Sequence, residues 1–224
     1  MTIDAVGEGF RLPITAPWNT TQSLITDDAM RPISLLMRLR TETRTEHHAI
    51  EQTLALTDDA LTQADYQRVI EQFYGFYKPV EDRLAAHSGE ITKWLGLKTR
   101  QKALLLQTDL NIFAHKECEI LEPVPFCSQL PQLSSLAECF GCLYVLEGAT
   151  LGGVLISRHI QEKLGVMPAS GGAFFHGYGE GTGEMWREFR AALTAFDATT
   201  DRQDQVIMAA RATFDTLRRW CEKE

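Results

Sequence analysis

The 224-residue chain lacks any run of 18 consecutive apolar residues, so no membrane span is expected. It also lacks a basic and then apolar leader at its start, which points to a cytoplasmic protein. Cysteines are few and odd in number. Cys118, Cys127, Cys139, Cys142 and Cys221 fit free thiols in a reducing compartment better than a bridged scaffold. Basic charge is short as well: 22 Lys and Arg stand against 30 Asp and Glu, a net charge of −8. This argues against duplex nucleic acid or an anionic membrane as a main partner. No segment alternates with period two for long enough to suggest a sheet. No P-loop, dinucleotide fingerprint or Gly-x-Ser-x-Gly is present.

What is present is helical periodicity and a core's worth of apolar residues, 44% of the chain. Residues 1–30 stand apart. They hold Pro13, Pro17, Gly7, Gly9 and no long period, and are expected to form an extended or poorly ordered arm. The remainder, 31–224, is read as one all-α domain. Pro32 opens a helix whose stripe runs through Leu36, Leu39, Thr43, His47, Ile50 and Leu54. A second helix is expected over about 64–86, bent at Pro79, with shorter ones near 91–95 and 99–113. Residues 122–131, with three prolines, form a connection. Ser135-Leu-Ala-Glu138 is a capping box that opens a long helix to about 164. A Gly-rich loop over 171–183 precedes helices at about 183–197 and 202–222, the last capped from Thr200-Asp-Arg-Gln203.

Glycine placement is the most informative departure from average. Eleven of the 16 glycines fall between Gly141 and Gly183, and Gly141, Gly148, Gly152 and Gly153 lie inside an expected helix. Each costs roughly 1 kcal/mol relative to alanine there. A close helix crossing, a kink, or backbone pressed against a flat ligand would offset that cost. Spacings of 7 and 4 put Gly141, Gly148 and Gly152 on one face as a smooth groove.

Several side chains could carry chemistry, each with an ordinary alternative. His47 is either a satisfied core histidine or a ligand whose Nδ1 donates to Glu51 one turn on. Arg38, Arg40 and Arg44 are either a solvated face or cations for an anionic ligand. Tyr74 and Tyr77 share a face, as core packing or as phenols organising water. Cys139-Phe-Gly-Cys142 reads as small-residue packing, because the further ligands of a zinc site and the βαβ context of a redox motif are absent. His115, Lys116, Glu117 and Glu119 read as a solvated cluster.

Two segments resemble a known family. Leu39-Arg-Thr-Glu-Thr-Arg-Thr-Glu-His47-His-Ala-Ile-Glu51 resembles the proximal helix of biliverdin-producing haem oxygenases, with Thr43, His47 and Glu51 matching position by position. Leu143-Tyr-Val-Leu-Glu-Gly148-Ala-Thr-Leu-Gly152-Gly153 resembles the distal helix, whose glycines bend over the haem. Phe174-Phe-His-Gly-Tyr-Gly179 and Trp186-Arg-Glu-Phe189 are similar to the bacterial, bacteriophytochrome-associated branch.

The resemblance, over about 33–222, implies a single-domain multi-helix fold with a kinked Gly-rich distal helix. It implies haem as both substrate and cofactor, with products biliverdin, CO and ferrous iron. His47 would be the axial ligand, preferred over His48, and Glu51 its partner. Arg40 would stand near a propionate, with Arg187 and Arg190 supplying further propionate contacts. Tyr77 would hold distal water, and Gly148, Gly152 and Gly153 would form the distal wall. Histidine ligation leaves iron able to bind O₂. Implied partners are O₂, an electron donor such as ferredoxin or a reductase, and a bilin-binding photoreceptor. Ala149 departs from the aspartate that animal enzymes carry after the first distal glycine. His159, about 10.5 Å beyond Gly152 along an ideal helix, is badly placed as a distal acid. Two other readings stay open: a non-catalytic haem or tetrapyrrole carrier on this fold, and a thiaminase-like hydrolase or oxidase using Cys139, Cys142 or carboxylates.

Overall fold

A computed structural model describes residues 34–117, 123–197 and 201–222. The arm expected over 1–30, the helix start expected at Pro32, Cys118 and the Thr200 cap lie outside the described residues. Among those described, the chain forms nine α-helices and no strand. In order they are α1 (Leu35–Glu42), α2 (Arg44–Leu54), α3 (Gln63–Ala86), α4 (Ser88–Ile91), α5 (Ala103–Glu117), α6 (Leu136–Leu164), α7 (Ala173–His176), α8 (Thr182–Asp197) and α9 (Gln203–Cys221). Short 3₁₀ turns cover Lys98–Arg100, Pro168–Ser170 and Gly179–Gly181.

Local chemistry sets several boundaries. Ser135 and Glu138 close the capping box that starts α6, and Gly165, at φ +67°, ends it in the left-handed conformation that glycine adopts without strain. Thr62 and Asp65 form a second capping box at α3. Pro79 sits inside α3 without ending it. A proline has no N–H for the carbonyl four residues back, and that orphan, Gly75 O, instead accepts from Cys127 N at 2.9 Å. Gly75 also has no side chain, so the Pro125 carbonyl and the Trp220 ring can approach. One proline and one glycine thus dock the 123–131 connection onto α3.

Several expectations change: the short helix expected near 91–95 is instead α4, which ends at Ile91, and the one expected over 99–113 begins at Ala103. The first stripe is two helices rather than one, divided at Thr43 (φ −103°, ψ 6°). The expected loop over 171–183 contains α7, because Asp109 on α5 accepts from Ala173 N and Phe174 N, both at 2.8 Å, and Phe174 and Phe175 enter the core. At α9 the N-cap is Arg202, with no side-chain cap, while Gln203 bonds Asp197 instead.

The core centres on α3, α6, α7 and α9. Phe73, Tyr77, Phe174 and Phe175 interlock with ring centroids 5.0–6.0 Å apart. Phe140 stacks on Phe196 at 4.5 Å. Each such ring contributes roughly 2 kcal/mol by leaving water. By length and composition alone α6 could cross a membrane, but half of its apolar window is buried inside this fold, as in a core helix.

Candidate functional site

His47 lies on α2, half-buried, with Nδ1 3.5 Å from Glu51 Oε2 and its ring edge-on to Phe214 at 5.6 Å. Glu51 is held below the usual carboxylate range, chiefly by its hydrogen bond with His47. A carboxylate on Nδ1 selects the tautomer whose Nε2 lone pair can ligate a metal. His48 is two-thirds exposed, and its Nδ1 stands farther from the same carboxylate, at 3.9 Å. The two neighbours therefore separate as the stripe implied: one inward and oriented, the other outward.

The break falls at a buried threonine. Thr43 is 2% exposed, and its Oγ1 bonds back to Leu39 O at 2.7 Å. The Tyr144 phenol on α6 lies beside the same side chain, and burial raises it. Thr43 stands one helical turn before His47, and Tyr144 one turn before Gly148. α6 and the histidine helix therefore approach each other at this point. Away from it, α2 and α6 each pack on α9 rather than extensively on each other.

The four α6 glycines divide into two kinds. A Cβ on Gly141 would run into the Val206 carbonyl and come within 2.9 Å of Ala210 N, so Gly141 permits the α6–α9 crossing. A Cβ on Gly153 would lie 2.9 Å from Phe175 O, so Gly153 seats α7. Gly148 and Gly152 are different: a Cβ at either meets nothing within 4 Å. The helix accepts two propensity penalties there with no packing need, and the adjoining Ala149 and Leu155 are exposed. The groove drawn from spacing is thereby shortened to Gly148 and Gly152.

The remaining expected residues are distributed as follows. Arg40 is exposed, and its charge reaches Tyr144. Tyr77 is 1% exposed, among the Phe73, Phe76 and Phe174 rings. Burial, with Glu81, Cys142 and Glu147 nearby, raises its phenol and keeps it protonated. Arg187 is exposed and ion-paired with Glu184 on its own helix, and Arg190 is exposed. Neither arginine bonds to His47, Arg40 or the glycine face among the described residues. Arg38 is engaged by Glu42 and Asp204. His159 turns its Nε2 to Asp58 O at 3.1 Å, away from a distal role. Burial pushes the Cys139 and Cys142 thiols up to about 11 and about 12, so neither is an available nucleophile at neutral pH.

Sequence reasoning missed a buried charge cluster next to Gly148. Glu147, 1% exposed, bonds Arg100 through Oε2, and through Oε1 accepts from Lys102 Nζ at 2.6 Å and Tyr178 Oη at 2.9 Å. Arg100 and Lys102 come from the segment between α4 and α5 and are themselves buried. An acidic residue inside an apolar, glycine-bearing helix was the available signal.

Comparison with known proteins identifies the fold and the family. A search among curated proteins returns no significant match. Among solved structures, the fold is similar to haem oxygenase from Neisseria meningitidis in NO- and CO-bound forms, with TM-score 0.71 and 21% identity over 86% of this chain and 94% of that one. It is similar also to haem oxygenase from Leptospira interrogans, with TM-score 0.69 and 18% identity over 84% and 98%. The profile of the family described as Heme oxygenase matches residues 33–223. With a profile spanning nearly all of the helical region, the chain belongs to the haem oxygenase family.

Proposed function

We propose that this chain cleaves haem to biliverdin, CO and ferrous iron, using O₂ and electrons from an external donor, with haem as both substrate and cofactor. The observation that carries the proposal is the bare Gly148–Gly152 face of α6, taken with an oriented histidine on α2. His47 presents a carboxylate-oriented imidazole, and Gly148 and Gly152 leave open the space that side chains would fill. These features fit a haem: the donor suits iron, and the missing Cβ atoms suit a flat macrocycle. Bound there, haem supplies the iron that binds and activates O₂ and the ring carbon that is oxidised.

The protein's part follows from its own residues. His47 would hold the iron through Nε2, while Glu51 beside Nδ1 would fix the ring's direction and strengthen it as a donor. Gly148 and Gly152 bring backbone close to the ligand face and leave it without side chains. Ala149, His159 and the buried thiols put no strong acid beside that face. The protonated Tyr77 phenol, behind α6, is a donor for ordered water. Arg40, Arg187 and Arg190 are the cations assigned to the carboxylate rim of the ligand, Arg187 by exchanging its Glu184 partner. Exposed Arg40 and Arg44 offer an acidic electron donor, a ferredoxin or a reductase, a local positive contact on an otherwise acidic chain. A cytoplasmic setting and delivery of bilin to a photoreceptor complete the reading, with residues 1–30 an appendage to the catalytic domain.

The second reading, a non-catalytic haem carrier, draws on Ala149, which puts a methyl group where an acid could order water. Haemin titration with and without reductant separates the two. Haem cleavage predicts a Soret band that gives way to bilin absorbance under reductant and O₂. A Soret band that persists under those conditions selects the carrier, and no Soret shift overturns both.

A further inference from the structure

We propose that Glu147 is a positioning residue that sets the angular orientation of α6, and through it which ring position of the substrate faces the Gly148 backbone. The proposal rests on haem cleavage as the activity, and its ground is the cluster around Glu147.

A fully buried carboxylate persists as an ion only when other groups replace its water. Here they come from two separate segments. Arg100 and Lys102 approach from the α4–α5 segment, and Tyr178 from the turn before α8; Arg100 in addition bonds Met185 O at 3.0 Å and Glu188 at 2.9 Å on α8. Lys102 bonds Tyr178 Oη at 3.1 Å and Arg100 O at 3.1 Å. Glu81 on α3 holds the same segment by accepting from Lys102 N at 2.6 Å. Arg100 and Lys102 against Glu147 and Glu188 make the cluster charge-balanced, and such a cluster loses heavily if one member moves.

Its location gives it a second consequence. Elsewhere along this stretch α6 is held by the buried apolar side chains Leu143, Val145 and Leu146, and by close crossings at Gly141 on α9 and Gly153 on α7. Apolar packing is non-directional, whereas the hydrogen bonds on Glu147 fix its direction as well as its distance. Glu147 sits between the two crossings, and the next residue, roughly 100° around the helix, is Gly148. A slight turn or slide of Glu147 therefore re-aims the Gly148–Gly152 face, while the His47 side is held independently by Glu51 and Phe214.

Two variants test this. Glu147→Asp keeps the charge and shortens the reach by one methylene, and Glu147→Gln keeps the shape and removes the charge. Each is measured by amide hydrogen exchange without haemin, by haemin titration, and by chromatography of the bilin isomers. The expected result is faster exchange at 148–153 with α5 unchanged, haemin affinity within a few-fold of wild type, and an altered isomer composition. A second isomer at roughly a tenth of product corresponds to barriers about 1.4 kcal/mol apart. Where Glu147→Gln does not fold, Lys102→Met combined with Glu147→Gln restores charge balance and takes its place. A residue that merely stabilises the fold would lower stability in these variants and leave the isomers as in wild type. That unchanged isomer composition overturns the proposal. If wild type binds haemin but yields no bilin, haem cleavage itself is overturned, and this inference with it.

Discussion

Replacing Gly148 by alanine should make the ligand-free protein more stable and the loaded protein worse. Glycine in a helix interior costs about 1 kcal/mol relative to alanine. At Gly148 no atom lies within 4 Å of the added methyl group, so nothing opposes that gain. For a chain of this size about 1 kcal/mol raises the unfolding midpoint by about 2–4 °C. The same methyl group would occupy the space assigned to the substrate, and haemin affinity or turnover should fall by roughly tenfold or more, which is about 1.4 kcal/mol. Gly141→Ala is the control. Its methyl group strikes the backbone of α9, so the ligand-free protein should lose roughly 1–3 kcal/mol. Thermal unfolding without haemin, paired with haemin titration and bilin formation, reads both effects. A Gly148→Ala protein that melts lower than wild type would show the face to be packed. One that melts higher and turns over normally would remove it from the substrate site.

Other consequences follow from named contacts. His47→Ala should abolish the axial ligation read in the ferrous haem spectrum, whereas His48→Ala should leave it intact; equal loss in both contradicts the assignment. Asp109 is pushed up to about 6 by burial, while its ordinary value is 3.8. The folded state therefore binds a proton that the unfolded state has released. Stability from this group is present at low pH and lost as pH rises through about 6. Between pH 5 and 7 the unfolding midpoint of Asp109→Asn should fall less than that of wild type, and parallel curves would refute this.

What was legible in the sequence was whatever local chemistry decides. The ends of α6 are written in Ser135, Glu138 and Gly165, and the inward face of His47 in its stripe. Tertiary causes were not legible. The helix inside the Gly-rich loop depends on a cap from Asp109, 64 residues upstream of Ala173. Spacing puts Gly141 and Gly148 on one face, and only the passage of α9 across one of them separates a packing glycine from an open one. The Glu147 cluster escaped because Arg100 and Lys102, expected within a helix over 99–113, instead lie in the 3₁₀ turn and connection ahead of α5. The Glu184–Arg187 pair, by contrast, has the i,i+3 spacing of a surface ion pair and could have been read directly.

The most direct test is a crystal of the haemin complex with iron located by its anomalous scattering. The account predicts iron bonded to His47 Nε2, Glu51 still on Nδ1, and the Gly148–Gly152 backbone across the opposite ring face. Iron bonded to another side chain, or a macrocycle lying away from those glycines, would contradict it.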